Sequence, residues 1–245
     1  SQALTEDGQS YYSHCVKALA ELQVAEAAMS ESLREPSGRL RISMPVLLGR
    51  RLLAPVLLAL AARHPALSLE LVFSDKVVNL VEDGFDLAVR TGTLEDSAGL
   101  SARRLGRQTL VLCASPGYLM QHGTPQQLDA LSQHQTLVYG RGPALWRFTD
   151  ANGHACQVRV HSRIQLDDLE TLQQAAEAGL GIVRLPHWLA GPALAAGRLQ
   201  AVLPQLTAEH RDVQVIWPHN RQLSPRVRVA IDALAAAIPT QLGAA

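Results

Sequence analysis

Apolar residues recur with two different periods along this chain. Tyr12, Cys15, Leu19, Leu22, Glu26, Met29 and Leu33 fall at spacings 3-4-3-4-3-4, a heptad seam interrupted once, at Glu26. The spacing predicts a single helix over residues 5–35, stopped by Pro36-Ser37-Gly38. A stripe this narrow points to a partner helix, so Tyr12, Leu19, Leu22, Met29 and Leu33 are the candidate dimerisation residues. The competing reading packs the helix on its own domain.

After Gly38 the pattern alternates between strand and helix. Strands are predicted at Leu40–Ser43, at Leu67–Phe73 (Leu67, Leu69, Leu71 and Phe73 on one face) and at Asp86–Arg90, with one or two more over Leu100–Cys113. A helix is predicted over Gly49–His64. A second runs from an Asp75 cap to Glu82 and ends at Gly84. The second half repeats the plan. Helices are predicted at Pro116–His122, Gln126–Leu131, Asp168–Ala178, Pro186–Ala196 and Pro225–Ala237, and strands at Thr136–Tyr139, Val158–Ile164, Gly181–Leu185 and Val213–Trp217. This order implies an α/β fold, each half a mostly parallel sheet flanked by helices, with a cleft between two lobes.

In open α/β sheets, ligands bind beyond the carboxyl ends of the strands. Those ends supply the candidate cleft residues: Ser43, Met44, Pro45, Val46, Arg90, Thr91, Gly92, Tyr139, Arg141, Asp167, Pro186 and His187. Helix-start amides at 46–50, hydroxyls and arginines suit a small anion such as a carboxylate. The Arg90 guanidinium has two candidate partners, the ligand or a neighbouring acid such as Asp86 or Asp75. The residues alone leave both open.

Composition narrows the function. The chain has 245 residues, 47% hydrophobic and 18% charged, enough apolar material for a full core. Basic and acidic residues balance at 22 each, which argues against strong nucleic-acid binding by this segment alone. Cys15, Cys113 and Cys156 form neither a disulfide framework nor a CxxC motif, as in a reducing cytoplasm. No apolar run spans a bilayer, and no signal peptide is visible. The GxSxG, GxGxxG, Walker A and HExxH motifs are all absent, so neither an enzyme nor a cofactor is expected. His154 and Cys156 are too few for a metal site. Ser115 and Asp168 read as helix N-caps rather than as catalytic groups, and Trp146 and Phe148 as core.

Five blocks, in order, resemble the effector-binding domain of LysR-type transcriptional regulators: GRLRISMP (Gly38–Pro45), SDKVVNLVEDGFDLAVRTG (Ser74–Gly92), LVLCASPGYL (residues 110–119), GLGIVRLPHWL (Gly179–Leu189) and PHNRQLSPRVRVAID (Pro218–Asp232). Ser74–Gly92 is the most specific. The resemblance implies a two-lobe fold like periplasmic solute-binding proteins, preceded by a long linker helix at 1–37. Lobe I is then expected at 38–112 and 218–245, and lobe II at 113–217. It implies a small-molecule effector in the cleft, a carboxylate or aromatic acid among the candidates. A homodimer or homotetramer in the cytoplasm is also implied. DNA would be contacted only through an N-terminal winged helix-turn-helix, expected to be missing from this chain. A solute-binding protein of the same fold is the alternative.

Two positions depart from that pattern. Relatives often carry Asn-Asp or Asn-Gly where this chain has Asp167-Asp168. If Asp167 points into the cleft, it favours a hydroxyl or amine and repels a second carboxylate. Met44-Pro45-Val46-Leu47 is apolar where many relatives place Ser or Thr.

Overall fold

The computed structural model describes residues 35–92, 99–142, 144–150, 152–160, 162–208, 210–219 and 223–243. The expected heptad residues, Tyr12, Leu19, Leu22, Met29 and Leu33, lie outside them. The chain runs through β1 (Gly38–Met44), α1 (46–63), β2 (Leu67–Phe73), β3 (Leu87–Thr91), β4 (Leu100–Gln108) and β5 (Leu110–Ala114). It continues through α2 (Pro116–His122), β6 (Thr136–Tyr139), β7 (Ala144–Thr149), β8 (Ala155–Val160), β9 (Ile164–Leu166), α3 (Leu169–Glu177) and β10 (Ile182–Pro186). It ends with α4 (His187–Ala195), β11 (Gln200–Ala201), β12 (Thr207–Ala208), β13 (Arg211–Pro218) and α5 (Pro225–Gln241). The helical stretch α1 is α-helical at Val46–Leu48 and Ala54–Arg63, with a π-type segment between them at Gly49–Leu53.

Two five-stranded sheets carry the molecule, in the orders β2-β1-β3-β13-β4 and β9-β6-β10-β5-β11. Each has a parallel half and an antiparallel half. β1 pairs parallel with β2 and β3, and β6 with β9 and β10. β13 runs antiparallel to β3 and β4, and β5 to β10 and β11. The sheets are therefore more mixed than the expected mostly parallel pattern, because a strand returning from the opposite lobe enters each one reversed. A small third sheet, β12-β7-β8, extends the second lobe.

Sheet membership also moves the expected lobe boundaries. β5 begins at Leu110 and lies wholly in the second sheet, so a boundary after 112 cuts it. β13, assigned by sequence to lobe II, is a central strand of the first sheet. The chain thus crosses between lobes at Thr109 and again just before Arg211. The first lobe's core joins Leu40, Ile42, Leu53, Leu57 and Leu87 to Val213, Leu234 and Ile238 of the returning strand and α5. The second lobe's sheet is packed on both faces, one around Leu112, Val138, Trp146 and Ile182, the other around Leu137, Leu172, Val183 and Leu185.

Two expected helices differ. Residues after Asp75 form turns rather than a helix, because local side chains take the backbone donors. Asn79 Oδ1 accepts from Val81 and Glu82, and Asp83 Oδ2 accepts from the Asn79 amide. The helix expected at Gln126–Leu131 is a 3-10 turn at Leu128–Gln133. The strand expected over Val158–Ile164 is two strands, β8 and β9, in different sheets. Trp146 and Phe148 are core, as expected, on a strand (β7) that periodicity did not mark.

Candidate functional site

A cavity of about 260 Å³ lies between the two sheets, just below the roughly 300–1,000 Å³ of small-molecule sites. It sits beyond the carboxyl ends of β1, β3, β6, β9 and β10. Of the twelve residues singled out by sequence, Pro45, Val46, Thr91, Tyr139, Asp167 and Pro186 line it. The other six do not. Ser43 and Met44 are fully buried in the first lobe: both lie within β1, which runs through Met44, and their side chains, on opposite faces of the strand, are both covered. Gly92 takes a left-handed φ of 95° and its amide donates to the Asp212 carbonyl. Arg141 and His187 face solvent outside the cavity.

Arg90 is tied down inside lobe I. Its guanidinium donates to the Val89 carbonyl (2.7 Å), the Ser43 hydroxyl (2.8 Å) and the Lys76 carbonyl (3.4 Å). Burial lowers its pKa, and the Asp75 charge opposes that shift. Its contacts are thus backbone and hydroxyl oxygens, and Asp86 pairs instead with Arg226.

The start of α1 is built differently from the expected anion site. Pro45 stands at its N-cap, with neither a side-chain acceptor nor an amide hydrogen. Asp75 fills the gap: its Oδ1 accepts from the Val46 amide at 3.3 Å. The positive end of α1 thus already holds a carboxylate of the protein. Opposite it, α3 begins with its own cap, Asp168, which accepts from the Thr171 amide at 2.7 Å. That hydrogen bond, chiefly, lowers the Asp168 pKa; the Arg50 charge contributes. Tyr139 stands between, its hydroxyl within hydrogen-bonding reach of Asp75. Burial first, then the charges of Asp75, Asp167 and Asp168, raise its pKa, so the phenol keeps its proton.

The remaining walls escaped sequence reasoning because their side chains converge from both lobes. Leu110, Leu137, Leu169, Trp146 and Trp188 are apolar surface, with Gln108, Arg184 and Arg211 among them. Trp188 Nε1 donates to Gln108 Oε1 at 3.0 Å, joining the start of α4 to the crossover strand β4. The Arg184 guanidinium lies 5.6 Å from the centre of the Trp146 ring. Leu47 on α1 packs into the second lobe's cluster with Leu137, Leu172 and Leu189. Arg51 on α1 makes an ion pair with Glu170 on α3. The strand-end candidates and the family-like blocks signalled the cavity mouth; the aromatic wall gave no local sign.

A two-lobe α/β body with an amphipathic cavity at the strand ends, lined among the described residues by apolar, aromatic, acidic and basic side chains, has the architecture of a small-molecule binding domain. The chain matches the LysR substrate binding domain over residues 33–239, and it belongs to the LysR family of transcriptional regulators. It is 35% identical over 236 residues to the HTH-type transcriptional regulator YhjC of Escherichia coli, covering 95% of this chain and 78% of YhjC. It is 33% identical over 237 residues to the HTH-type transcriptional regulator CrgA of Neisseria meningitidis, again covering 95% and 78%. Solved structures agree. CrgA from N. meningitidis superposes with a TM-score of 0.74 at 31% identity, covering 98% of this chain and 81% of that one. Full-length AphB, the Vibrio cholerae virulence activator, gives 0.73 at 29%, covering 96% and 80%. Regulators of this family bind small-molecule effectors, act as oligomers and are not enzymes. The chain is therefore the effector-sensing part of such a regulator, rather than a transport protein of the same fold. Among the described residues no helix is long and apolar enough to cross a membrane.

Proposed function

We propose that the inter-lobe cavity is the effector site, and that effector binding is read out through the relative position of the lobes. The carrying observation is that the cavity walls come from both lobes: Pro45, Val46, Asp75 and Thr91 from the first, Tyr139, Trp146, Asp167, Arg184 and Pro186 from the second. A ligand touching both sets has a higher affinity for the closed arrangement, and that difference is what shifts a two-state equilibrium. The Arg51–Glu170 pair and the seating of Leu47 bias the unliganded domain toward closure. The readout acts on DNA through the family's winged helix-turn-helix, in a cytoplasmic homodimer or homotetramer. A thermal-shift screen of small acids, amines and aromatics tests this. A true effector at 100 times its dissociation constant adds ~2.7 kcal/mol. Ala144→Trp, which fills the cavity from the edge of β7, should abolish that gain. A gain that survives the substitution places the effector elsewhere.

A further inference from the structure

The cavity has two chemically opposed flanks. On the first, the α1 amide that would hold a ligand carboxylate is occupied by Asp75, and Asp167 and Asp168 stand beside it along the same wall. Asp168 is committed to its own helix. Asp167 is exposed and makes no hydrogen bond or ion pair among the described residues. The Tyr139 hydroxyl points its single proton toward Asp75, which leaves its oxygen as an acceptor. Asp167 and Tyr139 therefore offer acceptors backed by negative charge. The Arg50 charge contributes to lowering the Asp168 pKa.

The second flank is basic. Arg184 follows Val183 on β10, whose neighbours Val183 and Leu185 belong to the cluster around Leu137. Side chains alternate along a strand, so Arg184 faces the opposite way, toward Leu112 and Trp146. Tyr139 shares the parity of Leu137 on the adjacent parallel strand β6 and so faces the first flank. Acceptors and guanidinium thus stand on opposite sides of the same sheet edge, with Leu110, Leu137, Pro186 and Trp188 between them.

We propose that the effector is an amphoteric molecule with an amine at one end, a carboxylate at the other and a short apolar or aromatic body between. The amine sits against Asp167 and Tyr139, the carboxylate against Arg184. The assignment rests on the cavity being the effector site, and it goes beyond that reading by excluding simple carboxylates.

The test uses the full chain and two matched series in which each charged end is replaced in turn by a methyl or a hydrogen: 4-(aminomethyl)benzoate with 4-methylbenzoate and 4-methylbenzylamine, and 6-aminohexanoate with hexanoate and hexylamine. Titration calorimetry gives affinities, and thermal shift checks folding. The amphoteric member of at least one series should bind, and removing either charged end should weaken it roughly 10- to 150-fold. Asp167→Asn, at an exposed position, should erase most of the preference over the des-amino acid while leaving the melting point in place. Arg184→Gln should erase the preference over the decarboxylated amine. The inference is overturned if a des-amino acid binds as tightly as its amphoteric parent, if Asp167→Asn leaves their ratio unchanged, or if neither series binds. The cavity reading fails separately, when binding by any member persists in Ala144→Trp.

Discussion

The two lobes share one ladder pattern but hold their critical turns in different ways. In lobe I, α1 begins at Val46, whose amide takes a cap from Asp75, 29 residues further along the chain. In lobe II, α3 begins with a cap supplied by the residue before it, Asp168. Two close-packed glycines, Gly49 within α1 and Gly181 just before β10, differ in the same sense. A Cβ on Gly49 would meet Met44 Cγ at 2.6 Å and Phe73 Cδ1 at 2.9 Å, both side-chain atoms. A Cβ on Gly181 would meet the Gln135 carbonyl oxygen at 2.6 Å, and its φ is 153°. That carbonyl already accepts from the Ile182 amide, locking β10 to the segment entering β6. Lobe I is closed by side chains, of which the half-exposed Phe73 can give more readily than the buried Met44, and lobe II by backbone that cannot.

The sharpest break of this comparison is a pair of alanines. Gly181→Ala combines backbone strain of about 1–3 kcal/mol with overpacking of about 1–3 kcal/mol, and no side chain is available to relieve it. Gly49→Ala carries only the overpacking, partly relieved by the half-exposed Phe73. Urea unfolding should therefore place Gly181→Ala below Gly49→Ala by at least ~1 kcal/mol. Equal losses would mean that the two glycine sites are equally rigid.

The same difference decides what the sequence disclosed. β2, β6 and α2 fall on their predicted bounds, because alternation over 67–73, the β-rich Thr136–Tyr139 and a Ser-Pro start are local signals. Ser115 and Asp168 were legible as caps for the same reason, and both accept from amides three residues on. Asp75 was assigned to the helix that should follow it, and instead caps one that precedes it. Nothing within a few residues of Asp75 reports on Val46. Half of the candidate cleft residues do line the cavity because strand ends were located to within a residue or two. The one-residue extension of β1 takes Met44 into the strand, and both faces of the strand's last residues are covered, which buries Ser43 as well. Gln108 meets Trp146, Arg184 and Trp188 only across the chain crossing at Thr109, and no periodicity encodes that meeting.

The two caps give the next comparison. Asp168→Ala removes a short hydrogen bond at the start of α3 and should cost about 0.5–2 kcal/mol. Asp75→Ala removes a longer one at α1 and should cost less, about 0.3–1 kcal/mol. The order should reverse in ligand binding, since Asp75→Ala frees the Val46 amide for a carboxylate. The Asp168 contribution also depends on pH. Its pKa is lowered in the folded protein, so the stabilisation is present above the unfolded value of about 3.9 and fades as pH falls through the folded one. Urea midpoints measured between pH 6 and 3 should converge for Asp168→Ala and the parent at the acid end. Parallel curves would show that the cap holds equally well when protonated.

The smallest expected effect is confined to lobe II. The Tyr118 hydroxyl accepts from the Gln135 amide at 2.9 Å and lies 3.2 Å from His134 Nδ1. With one acceptor site used by that amide, its proton is best placed on Nδ1, which must then be unprotonated. Burial, and secondly the nearby His122, lower the His134 pKa. A histidine whose folded pKa lies below its unfolded value of about 6.5 binds protons more readily in the unfolded chain. Its neutral form therefore carries no penalty above that pH, and stability falls as pH drops below it, until the folded pKa is passed. His122→Gln removes the like charge and should make that fall shallower, while leaving the stability at pH 8 nearly unchanged. His134→Gln should flatten His134's share of the fall. The measurement is a set of urea unfolding curves from pH 8 to pH 5 for the parent and both variants. An undiminished acid-side slope in His134→Gln would move the titrating group elsewhere and leave the Tyr118–His134 contact a purely structural tie between α2 and the entry to β6.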